Sequence, residues 1–136
     1  MKINLSVRQK YLMISFFFVL AIAGFMLKLP VPFRKIDKQL HASFYFIAAA
    51  FFNVLFLNTK ILKHIIIFIG LAIFGFIIEL GQAYSNKFFH KKIHGRFDIH
   101  DIKWNITGLV IFTFLWMLIV LKMYFTKKND FQNKQF

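Results

Sequence analysis

Seven polar residues interrupt the long apolar runs of this chain, and their spacing sorts them into groups. Asp37 and His41 are four apart, Glu79 and Gln82 three apart, and Asp101 and Asn105 four apart, so each pair shares one helix face. Arg96 precedes the last pair, and Gly108 follows it one turn on. Together they offer carboxylates, an imidazole, two amides and a guanidinium, the groups that bind polar ligands and move protons. Glu79 is the sharpest case, because Phe74 to Leu80 is otherwise wholly apolar. A carboxylate in such a run stays protonated or finds a donor or cation. Arg96 is the natural bidentate partner. Each residue also has a plainer use. Asp98 with Asp101, and Asp37 separately, suit helix starts. His41 could bond a carbonyl, Glu79–Arg96 could be a structural ion pair, and Asn105 could tie helices together.

The elements that must position these groups are four apolar runs: Tyr11–Leu27, Leu40–Leu57, Ile61–Leu80 and Ile106–Phe125. Each approaches the ~20 residues that cross ~30 Å of hydrocarbon. Of 136 residues, 59% are hydrophobic and 20% aromatic, more than a water-soluble domain of this size can bury. Membrane strands would need alternating polarity, which is absent. The expectation is an all-α, four-helix transmembrane bundle over residues 11–125, with helices at about 11–29, 38–57, 61–82 and 99–125. A long loop at 83–98 joins the last two. Residues 1–10 form a polar basic tail and 126–136 a loose polar one. The first run reads as a retained helix, since Lys28-Leu29-Pro30-Val31-Pro32 follows it in place of a small-residue cleavage site.

Four crossings put both termini on one side and the first and third loops on the other. Asp37, Glu79, Asp98 and Asp101, four of the five acids, then share the loop side. The 18 Lys and Arg residues divide equally between the two sides, so the positive-inside rule gives no orientation. The net charge of +13 reads as anchoring to anionic headgroups, with no nucleic-acid partner. Membrane lipids are the expected partners, especially anionic headgroups or cell-wall precursors. With no cysteine, no disulfide, zinc finger or redox dithiol can form. No cofactor is expected. A zinc site built from His41, Glu79 and Asp101 is chemically possible, yet the spacing matches no metal motif and no metal is assigned. His90, His94 and His100 lie in a basic loop suited to phosphates. His64, beside Lys63, reads as an interfacial anchor.

Asp37-Lys38-x-x-His41, Glu79-x-x-Gln82 and Arg96…Asp101-x-x-x-Asn105-x-x-Gly108, in this order, resemble the VanZ-like membrane proteins over Asp37 to Gly108. The resemblance implies a small multi-pass protein of the bacterial cytoplasmic membrane. It also implies a polar site at Asp37, His41, Glu79, Gln82, Arg96, Asp101 and Asn105, and a faint link to teicoplanin tolerance. The His- and Lys-rich stretch from Lys87 to His94 departs from the pattern. By analogy with a cell-surface phenotype, the site faces outward and the termini are cytoplasmic.

Three functions compete, against a fourth reading in which the chain is an accessory helix bundle whose polar cluster only fixes its own packing. The leading one is a surface pocket for a polar headgroup or envelope component, with Arg96, Lys91, Lys92 and Lys103 nearby. A second is an enzyme acting on a lipid phosphate or lipid-linked precursor, with His41 or Glu79 as base and Arg96 on the anion. No nucleophile is recognisable. A third is a small proton-coupled transporter using Glu79, although Glu79 lies at a helix end and not at the midplane.

Overall fold

The computed structural model describes residues 5–26, 35–56, 59–88, 90 and 97–132, with side chains through 130. These form four helices and no strand: α1 (Val7–Met26), α2 (Asp37–Leu55), α3 (Ile61–Phe88) and α4 (Ile99–Gln132). The chain is all-α, as its apolar runs imply.

Side-chain pairs fix an up-down-up-down bundle. Phe25 near the end of α1 meets His41 at the start of α2, while Phe17 stacks on Phe51 a helix length away, so the two run antiparallel. His64 with Asn53 makes α3 antiparallel to α2. His41 with Asn105 and Phe46 with Phe112 make α4 parallel to α2. The α2–α4 packing is the most extensive in the bundle. It is close because Gly108 lies against the Ala42 backbone. A methyl group there would overlap the Ala42 carbonyl oxygen and approach its carbonyl carbon to 2.9 Å.

The core is Tyr45, Ala48, Ala49, Phe52, Leu71, Leu109, Phe112 and Trp116, from α2, α3 and α4. α1 lies along this core through aromatic edges and faces. Phe18 meets Phe74 edge-on at 5.0 Å, and Phe17 lies within 5.4 Å of Phe44. The outside is apolar as well: Ile66, Ile73, Phe114 and Leu118 are all more than half exposed. Such a surface suits lipid and not water.

Three helices are long and apolar enough to cross a membrane: α1, α3 and α4. α2 falls short on composition, through Lys38, Gln39, His41 and Asn53. Its 19 residues nevertheless run alongside the others, and His41 and Asn53 are buried against protein.

The boundaries differ from the sequence expectation in three places. α1 begins at Val7, four residues before the apolar run. Ser6 and Gln9 close a capping box there: the Ser6 amide donates to Gln9 Oε1 at 2.8 Å and the Gln9 amide to Ser6 Oγ at 3.2 Å. α3 continues through Ala83–Phe88, so much of the expected 83–98 loop is helix. Lys87 sits favourably in its last turn, and His90 (φ 49°), whose amide bonds Lys87 O, follows in a left-handed conformation. α4 runs to Gln132, about 51 Å at 1.5 Å per residue. The 126–132 stretch of the expected loose tail is thus its last two turns, with no glycine or proline to stop them.

Candidate functional site

At the end of the bundle where α2 and α4 begin and α3 nears its close, polar groups converge. Asp98 caps α4. Its Oδ1 accepts the His100 amide at 2.8 Å, and its own carbonyl accepts the Asp101 amide at 3.1 Å. That amide bond holds the Asp98 carboxyl below the ordinary carboxylate range, helped by Lys38. Asp101 does not complete the cap. The Asp98 amide donates instead to Glu79 Oε2 on α3, at 3.2 Å. Asp37 begins α2 but makes no capping hydrogen bond. Lys38 bridges the two helix starts, 3.4 Å from Asp98 Oδ2 and 3.5 Å from Asp101 Oδ1.

One turn deeper, His41 Nδ1 lies 2.8 Å from Asn105 Oδ1. An amide oxygen only accepts, so Nδ1 carries the proton and Nε2 is left to face the acids. Nε2 is 4.0 Å from Asp37 Oδ1. Phe25 of α1 covers the imidazole, ring centres 5.0 Å apart. Below lies Tyr45, fully buried. A methyl on Gly75 would touch both Tyr45 Oη (2.8 Å) and Asn105 Nδ2 (2.9 Å), so glycine makes room for this pair.

Three buried polar atoms in this cluster have no hydrogen-bond partner: Tyr45 Oη, Glu79 Oε1 and Asp101 Oδ1. Glu79 is completely buried, and it interacts electrostatically with Tyr45, His41, Asp98 and Asp101. A buried polar atom left without a partner costs roughly 1–3 kcal/mol, so native networks are usually satisfied. These three oxygens have room in their hydrogen bonding for a further partner, whether water or a ligand.

Of the sequence candidates, Asp37, His41, Glu79, Asp101 and Asn105 come together. Gln82 turns away, its Nε2 donating to Phe25 O at 2.8 Å, and so ties α3 to the end of α1. Arg96 lies outside the described residues, and with it the expected Glu79–Arg96 pair; so do Lys91, Lys92 and His94. Among the described residues, the group able to hold a metal ion is Asp37, His41 and Asp101, whose ligand atoms lie within 4.8 Å of one another. Asp37 takes the place that the sequence reading gave Glu79. Tyr45 and Gly75 escaped that reading. Tyr45 sits one turn after His41 on the same face, a spacing that marks it in hindsight.

His64 is a correction. It is buried, not anchored at the interface. Its Nδ1 lies 3.1 Å from Asn53 Oδ1, its Nε2 3.1 Å from Thr113 Oγ1, and its ring stacks on Trp116 at 4.1 Å. Asn53 Nδ2 donates to Ala49 O, which turns its oxygen toward His64. This second polar layer is satisfied and sits at the opposite end of the bundle.

Comparison with protein-family models, curated proteins and solved structures finds no match to this chain.

Proposed function

We propose that this chain is a small integral membrane protein whose polar end binds the headgroup of an envelope lipid or a lipid-linked precursor. The observation that carries the reading is Glu79: fully buried, one oxygen on the Asp98 amide and the other without a hydrogen bond, as are Tyr45 Oη and Asp101 Oδ1, the last held among the described residues only by the Lys38 ammonium at 3.5 Å. A headgroup bearing hydroxyl or amine donors would satisfy Glu79 Oε1 and Asp101 Oδ1, and Tyr45 could donate in return. Lys38, with Arg96, Lys91, Lys92 and Lys103 near the site by sequence, supplies cations for a phosphate. The resemblance to VanZ-like proteins supports a bacterial cytoplasmic membrane, an outward-facing site and a role in glycopeptide tolerance.

The test uses the full chain in detergent. Displacement of a fluorescent lipid by phosphatidylglycerol and by undecaprenyl phosphate is compared with phosphatidylcholine. The reading expects the two anionic lipids to bind at least tenfold more tightly than zwitterionic phosphatidylcholine, and Glu79→Gln to remove the preference. Equal binding of all three lipids would defeat it.

A further inference from the structure

The site described above has more acid than an anion would choose. Asp37, Glu79, Asp98 and Asp101 face one ammonium, Lys38, and one imidazole among the described residues. Within that cluster His41 is the odd member. Its side chain is 8% exposed, its Nδ1–H is committed to Asn105, and its Nε2 has no hydrogen-bond partner while pointing toward carboxylates. A nitrogen turned toward anionic oxygens is stabilised by positive charge between them, whether its own proton or a metal ion. The arrangement becomes favourable once a cation stands between.

We propose that His41 Nε2, Asp37 and Asp101 bind a borderline divalent cation, zinc or manganese. Three observations carry it. The three ligand atoms already lie within 4.8 Å of one another. Asp101 Oδ1 is buried without a hydrogen bond, its charge met among the described residues only by Lys38 Nζ at 3.5 Å. The Asn105 amide holds the imidazole by its far nitrogen, as outer-shell partners of metal-bound histidines do. One nitrogen with two carboxylate oxygens suits these ions better than an all-oxygen Mg²⁺ or Ca²⁺ site. Bonds of ~2.0–2.2 Å require the oxygens to draw in by about 1 Å. Asp37 is free to do so, being half-exposed and outside any hydrogen bond. Lys38 gives up Asp101 and keeps Asp98. The remaining coordination positions face the polar end, open to water or to a headgroup phosphate. A cation so placed would let an acid-rich site hold an anionic lipid. The inference rests on this cluster being a ligand site, as the headgroup reading does.

The experiment titrates Zn²⁺ alone, without added lipid, into the chelator-stripped full chain in detergent by competition with a zinc-sensitive dye. Mn²⁺ is followed in parallel by electron paramagnetic resonance. The expected result is one saturable equivalent. Asp37→Asn and Asp101→Asn each weaken it at least tenfold, and Asn105→Ala weakens it by about tenfold through the lost support of the imidazole. His100→Ala, on the exposed surface, leaves it unchanged. Asp37→Asn is the decisive variant, because its half-exposed side chain leaves the fold intact, as helical circular dichroism would verify. No saturable equivalent, or one that Asp37→Asn and Asp101→Asn leave untouched, overturns the proposal. Lipid displacement repeated in chelator separates the readings. A lipid preference that persists there keeps the headgroup reading when the metal fails, and the metal titration stands by itself when the lipid fails.

Discussion

Glu79 Oε2 accepts the backbone amide of Asp98 at 3.2 Å, so a side chain of α3 completes the first turn of α4. In an ordinary capping box the helix supplies both halves itself. Here the second half comes from another helix, and one structural bond holds the carboxylate whose other oxygen is unpartnered. The site and the start of α4 are therefore built from the same residues.

Asp98 separates capping from charge. Asp98→Ala should lower stability by about 1 kcal/mol, the usual loss for a cap, while Asp98→Asn should keep nearly all of it, since asparagine caps equally well. The Lys38 bridge is half-exposed and contributes little. The Asp98 carboxyl titrates lower in the fold than when free. Its charge-dependent share of stability is thus complete above the ordinary carboxylate range and fades as pH falls through its folded value. Asp98→Asn should flatten that acid limb. Thermal unfolding in detergent at neutral pH and between pH 5 and 3 measures both effects.

Gly108 should be the least replaceable glycine described. Its added methyl would meet backbone, which cannot rotate away, so Gly108→Ala should cost about 1–3 kcal/mol and push α2 from α4. Gly24 and Gly70 have nothing within 4 Å. Alanine there should be neutral or slightly stabilising by helix propensity. The three midpoints in one detergent decide it, and equal midpoints would refute the close α2–α4 approach.

His64 should be structural. His64→Ala removes the bond to Asn53 Oδ1 and the Trp116 stack, a loss of about 2 kcal/mol. Lipid and metal binding by the folded fraction should not change. A selective loss of binding would mean that the two polar layers communicate.

Much of this was legible in the sequence because lipid-scale apolar runs leave few ways to fold. Helix direction alone sends Asp37, Glu79 and Asp101 to one end, and i,i+4 spacing puts His41 one turn deeper than Asp37 and Asn105 one turn deeper than Asp101. Tertiary choices were not legible. Gln82 shares a face with Glu79, yet a backbone carbonyl at the end of α1 claims it. His64 looked like an anchor because Lys63 adjoins it, but one residue along a helix is a turn of about 100°, and that turn carries His64 into the core while Lys63 stays exposed. The helix ends were misplaced where polar residues continue a helix into water, at Ala83–Phe88 and beyond Phe125. The start at Ser6 carries a legible signal, Ser-x-x-Gln, ahead of the apolar run on which the expected boundary rests.

On the headgroup reading proposed above, the buried acid serves a ligand and not the packing. Glu79→Gln tests it most directly, with stability and phosphate-lipid binding measured on the same preparation. The amide oxygen of glutamine can still accept the Asp98 amide, and its nitrogen can donate to an unpartnered neighbour such as Asp101 Oδ1. The account predicts an unfolding midpoint equal to or above that of the parent chain, with lipid binding at least tenfold weaker, the trade expected where a strained site is kept for function. A lowered midpoint with binding unchanged in the folded fraction would contradict it, and would make Glu79 a packing residue.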